Sequence, residues 1–116
     1  MSKKPNFTDE RGTITDLLVT PDYSVTHITF KKGAVRGNHY HEKTTQHDFV
    51  LKGDLKVAID DYRDRIIQGD SIKIKPNEKH AYKANKDSDI ISICFGVRKG
   101  EDFEKDVIRL IKPLLK

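Results

Sequence analysis

The chain has 116 residues, of which 34% are charged and 35% are hydrophobic, a length that supports one domain with a single modest core. Its formal net charge of +4 is spread along the chain rather than gathered in a basic block, which argues against a nucleic-acid partner. An apolar run of about 18 residues is absent, and residues 1–5 do not resemble an apolar signal segment. The sequence therefore predicts no membrane partner and a cytoplasmic location.

Short alternating segments divided by turn signals make up most of the chain. The first, residues 13–18, follows a turn signal, and residues 24–30 then alternate, with His27 read as a hydrogen-bonded or surface histidine. Further short strands are predicted at residues 48–52, 55–59, 64–68, 71–75, 80–84 and 90–97. Strands this short, with turns at nearly regular intervals, are typical of an all-β barrel or sandwich.

The last segment has a different periodicity. Acidic residues lie at its start and basic residues near its end. The apolar residues recur at helical spacing and are Phe103, Val107, Leu110, Ile111 and Leu114. This pattern predicts a short amphipathic helix over about residues 101–115. Its apolar face would cover the outside or one mouth of the barrel, or contact a second subunit.

Histidines are gathered at one point of the predicted barrel. His39 and His41 are one residue apart on an extended segment, so their side chains project from the same face. Gln46 follows with a neutral oxygen, and His80 lies in another alternating segment. A pair of surface histidines is the ordinary explanation of such spacing, but the joint fit of these residues favours a metal site. Three imidazoles and one amide oxygen suit Zn, Ni, Fe or Mn, and nothing in the sequence chooses among them.

The stretch from Gly33 to Gly53 resembles the first cupin motif. In that motif a glycine, five residues, His-x-His, four residues, an acidic position, six residues and a second glycine recur, and here Gln46 occupies the acidic position. Residues 69–80 resemble the second motif more loosely. The resemblance implies one cupin domain over residues 1–116. Its fold would be a β-barrel (double-stranded β-helix, or jelly roll) over about residues 10–100, followed by the short C-terminal α-helix.

The resemblance also implies chemistry within the RmlC-like, sugar-modifying cupins. The Arg36–His39 segment is similar to that of nucleotide-sugar 3,5-epimerases, and residues 39–46 resemble the 3,4-ketoisomerases. There His39 would be a base, His41 a partner acid or base, Arg36 a contact to substrate phosphate or carbonyl, and Tyr82 a candidate proton donor. The three-histidine, one-glutamine set is similar instead to small metal-dependent cupins that act on unsaturated uronates.

Both resemblances imply isomerisation or epimerisation of a sugar-derived small molecule, by proton transfer at a carbon next to a carbonyl. Two alternatives stay open: a metal-dependent dioxygenase, and a cupin that binds a small ligand without turning it over. The resemblance also implies a homodimer.

Overall fold

The computed structural model describes residues 4–96 and 105–116. Within them the chain forms eleven strands: β1 (Phe7–Asp9), β2 (Gly12–Val19), β3 (Tyr23–Phe30), β4 (Val35–His41), β5 (Thr45–Lys52), β6 (Asp54–Ile59), β7 (Tyr62–Ile67), β8 (Ser71–Ile74), β9 (His80–Ala84), β10 (Ser88–Phe95) and β11 (Val107–Arg109). One antiparallel sheet has the order β1-β2-β3-β10-β5-β8 and the other β11-β4-β9-β6-β7. The all-β prediction is confirmed. No helix among the described residues is long and apolar enough to cross a membrane.

The interior of the molecule is apolar at one end and polar at the other. Alternate residues of β5 and β10 face inward, and the register pairs Val50 with Ile90 but Asp48 with Ser92. The apolar end holds one core cluster, made of Phe30, Ala34, Val50, Leu55, Val57, Ile59, Ile66, Ile74, Tyr82, Ala84 and Ile90. The polar end is where ligand-type side chains meet.

The predicted C-terminal helix is wrong from Val107 onward, and residues 101–104 lie outside the described residues. Val107–Arg109 instead form β11, which pairs antiparallel with the edge of β4. The β-branched Val107 and Ile108 favour an extended backbone, and the open edge of β4 supplies hydrogen-bond partners that a helix would leave unused. Ile111, assigned to the buried face of the helix, is fully exposed.

Asn38 holds the tail that follows β11. Its Oδ1 accepts hydrogen bonds from the backbone N–H groups of Leu114 and Leu115 at 2.8 and 3.2 Å, and its Nδ2 donates to the Leu115 carbonyl at 3.0 Å. Its own carbonyl accepts from the N–H of Leu110 at 2.9 Å. One side chain in β4 thus fixes the path of the C-terminal residues along the sheet edge.

Candidate metal centre

A bulge in β4 decides which side chains face the interior. Gly37 pairs with Ala81, whereas His39 pairs with His80, so Asn38 is an extra residue in the strand. Gly37 and Asn38 have φ angles of 92° and 56°, and a Cβ on Gly37 would lie 2.9 Å from the carbonyl oxygen of His80. Because side chains alternate along a strand, the extra residue brings His39 to the inner face.

The structure brings the three predicted histidines together. The ring centroid of His39 lies 4.9 Å from that of His41 and 4.6 Å from that of His80. One potential ligand nitrogen from each residue lies within 4.8 Å of the others. His41 and His80 are buried, and His39 is partly exposed at the rim. The arrangement opens toward the solvent at His39.

Hydrogen bonding assigns the protonation of His80. Its Nδ1 lies 3.0 Å from the carbonyl oxygen of Glu78, an acceptor only, so Nδ1 carries the proton and donates. Nε2 therefore has the lone pair, and this buried nitrogen has no hydrogen-bond partner among the described residues. A buried acceptor without a partner costs free energy, and a metal ion would satisfy it.

Burial favours the neutral form of His39 and His80. Burial, followed by the positive charges that His80, His41 and Arg109 can carry, lowers the pKa of His39 to about 2. Burial also lowers the pKa of His80, although its bond to the Glu78 carbonyl and the charge of Asp48 oppose the shift. Since only neutral imidazole ligates a metal, these lowered pKa values favour the binding-competent form of His39 and His80 at neutral pH.

Asp48 is a buried carboxylate that the sequence reasoning missed. It is fully buried, and its Oδ2 accepts hydrogen bonds from Gln46 Nε2 at 2.7 Å and from the hydroxyl of Tyr82. Burial raises the pKa of the Asp48 carboxyl, against hydrogen bonds from Tyr82, Ser92 and Gln46. Its position two residues after Gln46 on an alternating strand was the available signal, because it places a charge on the inner face.

Gln46 lies on the inner face of β5, and its amide is oriented by Asp48. Because Nε2 donates to the carboxylate, Oε1 is the end left to accept a hydrogen bond or ligate a cation. Asp48 is close enough to His80 for its charge to raise the pKa of that imidazole. This chain of contacts supports Gln46 as a fourth ligand, which stays a prediction.

Tyr82 and Arg36 lie on the same inner face as His80 but contact different groups. The hydroxyl of Tyr82 donates to Asp48, and burial together with that charge raises its pKa well above 10. Arg36 is buried over the ring of Phe30, 5.4 Å from its centroid, and its Nη2 donates to the Thr29 carbonyl at 3.1 Å. These contacts join Arg36 to β3 rather than to the histidines, and its substrate contact stays a prediction.

The remaining two histidines lie outside the cluster. His27 Nε2 lies 2.8 Å from the carboxylate of Asp89 on the outer face of β3 and β10, as expected of a hydrogen-bonded surface histidine. His47 contacts the ring of Phe95, with centroids 5.8 Å apart. They serve as internal controls for the cluster.

Two residues of the C-terminal segment also approach the site, and neither was predicted. Asp106 accepts hydrogen bonds from the N–H groups of Glu42 and Lys43 and from the hydroxyl of Thr44, and its Oδ2 lies 4.0 Å from His41 Nδ1. It fixes the turn between β4 and β5. Arg109 lies opposite His39 in the β4–β11 register. The positions of Asp106 and Arg109 depend on β11, and the sequence analysis predicted a helix there instead of a strand.

The comparisons agree with this geometry. The model for the cupin domain matches residues 26–96. The chain belongs to the cupin family. A search of curated proteins gives no match to this sequence.

Three solved structures share the cupin fold with this chain. KdgF from Halomonas sp. is 22% identical with a TM-score of 0.78, and the match covers 87% of this chain and 91% of that one. Oxalate decarboxylase from Bacillus subtilis is 17% identical with a TM-score of 0.76, covering 88% and 29%. The capsular polysaccharide assembling protein CapF from Staphylococcus aureus is 22% identical with a TM-score of 0.75, covering 94% and 33%. This cupin therefore spans nearly all of KdgF but about a third of the other two proteins.

The first prediction concerns the metal itself. After reconstitution with zinc, manganese, nickel or iron(II), wild-type protein carrying no affinity tag should retain near-stoichiometric metal through gel filtration, measured by elemental analysis. His39→Ala and His80→Ala should lose it because each removes a ligand from a compact set. His27→Ala and His47→Ala should retain it. Equal metal content in all four variants, or none in the wild type, would contradict the assignment.

A second prediction tests the buried carboxylate. Asp48→Asn should weaken metal binding about 10- to 100-fold, because groups that orient metal ligands contribute on that scale. Competition against a chelator of known affinity measures the effect, and circular dichroism checks folding. Asp89→Asn, which alters the carboxylate beside His27 on the outer face, is the matched control. A folded Asp48→Asn protein with wild-type affinity would show that Asp48 does not orient the site.

Proposed function

We propose that this protein is a metal-dependent isomerase or epimerase of a small sugar derivative, moving a proton at a carbon next to a carbonyl. The observation that carries the proposal is the cluster of His39, His41 and His80 at the polar end of the barrel. Within it the buried Nε2 of His80 has no partner in residues 4–96 and 105–116. A divalent cation bound there would polarise a substrate carbonyl or hydroxyl oxygen. Neutral ligands leave the cation its full charge for this purpose.

The protonation of the cluster favours ligation over acid–base work by the histidines. A base whose pKa lies near 2, as for His39, is poorly matched to proton abstraction at neutral pH. We therefore assign His39, His41 and His80, with Gln46, to metal binding. The roles of His39 as base and of His41 as partner acid or base become the metal-free alternative.

The proposed groups for moving the proton are Tyr82 and Asp48. The Tyr82 hydroxyl donates a hydrogen bond to the Asp48 carboxylate; Tyr82 shares the inner face of β9 with His80, and Asp48 is buried on β5 of the other sheet. Burial raises the pKa of both groups, so each holds a proton more firmly than it would in water. Arg36, with its Nε buried and without a partner among the described residues, is proposed to contact the substrate oxygen or phosphate.

Two further observations support a carbohydrate substrate. The Arg36–His39 segment resembles that of the nucleotide-sugar epimerases, and the ligand set is similar to that of the uronate-type cupins. One structure that shares the fold is described as a capsular polysaccharide assembling protein.

Manganese is a candidate metal because the oxalate decarboxylase of Bacillus subtilis has Mn(II) centres.

Deuterium exchange tests the reaction. Metal-loaded protein in D₂O should incorporate deuterium next to the carbonyl of a keto-nucleotide-sugar or an unsaturated uronate, followed by NMR. Chelation should abolish exchange and added metal should restore it. His80→Ala should be inactive, whereas His27→Ala should match the wild type. Oxygen consumption by the iron form without exchange would point to a dioxygenase, and tight binding without turnover to a binding protein.

We also propose that the protein pairs with a second copy through the six-stranded sheet. Its outer face exposes several large apolar side chains: Leu18, Phe49, Leu51 and Phe95 are each between 41 and 47% exposed. Soluble monomers rarely expose contiguous apolar patches of this kind. A second copy would cover the face with an identical, complementary surface.

Sedimentation velocity tests the pairing. The wild type should sediment as a dimer, and Phe49→Lys should shift it to monomer because a charge would be buried in the proposed contact. Ile67→Lys, at an exposed position of β7 in the other sheet, should leave the dimer intact. A monomeric wild type at micromolar concentration would exclude the proposed contact.

A further inference from the structure

Arg109 reaches the histidine cluster from the C-terminal strand. In the register of β11 and β4, Arg109 lies directly opposite His39, and opposed residues of antiparallel strands carry their side chains on the same face. The guanidinium Nη1 lies 3.3 Å from His39 Nδ1. Arg109 is exposed, so it stands at the rim where the cluster meets solvent.

The position of Arg109 is held from both sides. Ahead of β11, the Asp106 carboxylate is bound by the turn between β4 and β5. Behind it, the Leu110 N–H donates to the Asn38 carbonyl, and the Asn38 side chain binds the backbone of Leu114 and Leu115. Asn38 also forms the bulge that turns His39 inward. Asn38 therefore determines the orientation of His39 and also the position of Arg109 beside it.

The charge of Arg109 is not neutralised by the part of the chain that the structure describes. Arg11 and Arg65 pair with Asp9 and Asp54 at 2.7 and 2.6 Å, whereas no such ion pair forms at Arg109 within residues 4–96 and 105–116. The neutral imidazoles add no negative charge. Within the described residues the charge of Arg109 is therefore available to an anionic ligand, and a bound cation would add to that attraction.

Metal ligation by His39 would release the guanidinium. A neutral imidazole has one N–H and one ring nitrogen with a lone pair. If that lone pair binds a cation, the other nitrogen carries a proton and cannot accept the N–H of Arg109. The N–H donors of Arg109 are then available to a ligand at the solvent-facing rim, and a carboxylate offers two oxygens that match the geometry of the guanidinium.

We propose that Arg109 binds the carboxylate of an acidic sugar beside the histidine cluster and so selects uronic acids over neutral sugars. The inference rests on the proposed function, because it places the substrate at the same site and names the group that this rim recognises. Arg109 is a binding residue in this scheme and carries no step of the reaction.

Calorimetric titration of zinc-loaded protein with D-galacturonate and, separately, D-galactose tests the proposal. Arg109→Gln should weaken galacturonate binding about 10- to 100-fold, as expected for loss of a charge-assisted bidentate contact, and leave galactose binding unchanged. Arg109→Lys should fall between the two proteins. Zinc affinity should be unchanged or tighter in Arg109→Gln, because a neighbouring positive charge is removed. Lys112→Gln, an exposed charge change in the same tail, should behave as the wild type.

Several outcomes would overturn the proposal. These are no binding of galacturonate to the wild type, an equal affinity in Arg109→Gln, or a parallel loss of galactose binding. If inorganic phosphate binds more strongly than galacturonate, competes with it, and does so only when Arg109 is present, the group that Arg109 recognises is a phosphate and not a carboxylate. The deuterium-exchange assay separates the two proposals. Arg109-dependent binding without exchange would support carboxylate binding by Arg109 and contradict the isomerase. Exchange with an unchanged KM in Arg109→Gln would support the isomerase and contradict carboxylate binding by Arg109.

Discussion

The extra residue in β4 is the constraint on which the rest of the site depends. Without the bulge at Gly37 and Asn38, strict alternation would turn His39 away from the face that Arg36 shares with Tyr82. A glycine with φ of 92° is needed because the backbone of β9 passes 2.9 Å from where its Cβ would stand. Asn38 is one of the residue types that tolerate the left-handed region, and its amide then becomes free to bind the tail.

The bulge in β4 has two structural roles. One is the orientation of a ligand, and the other is the closure of a sheet edge, since Asn38 holds the residues that follow β11. An uncovered β4 edge would leave unpaired backbone groups beside the site. Covering it with β11 satisfies those groups and also delivers Asp106 and Arg109 to positions next to His41 and His39.

Much of the fold and the three histidines could be predicted from the sequence, because alternation and spacing are local properties. His39, His41 and His80 were found from parity and from the cupin-like spacing of glycines. The C-terminal strand could not be found in this way. Val107, Leu110, Ile111 and Leu114 fit a helix equally well, and the choice was made by the unpaired edge of β4, which is distant in sequence. Arg109 was missed for the same reason.

The buried polar groups at one end of the interior favour a bound metal ion. The buried imidazoles of His41 and His80, the amide of Gln46 and the carboxylate of Asp48 lose hydration, and such groups are tolerated when they are bonded to one another or to an ion. Gln46 and Tyr82 donate hydrogen bonds to Oδ2 of Asp48, and the carbonyl of Glu78 accepts one from Nδ1 of His80. The other nitrogen of His80 is buried within the cluster and has no hydrogen-bond partner among the described residues. A cation shared with His39 and His41 would satisfy it and would turn a costly burial into a site that binds oxygen ligands.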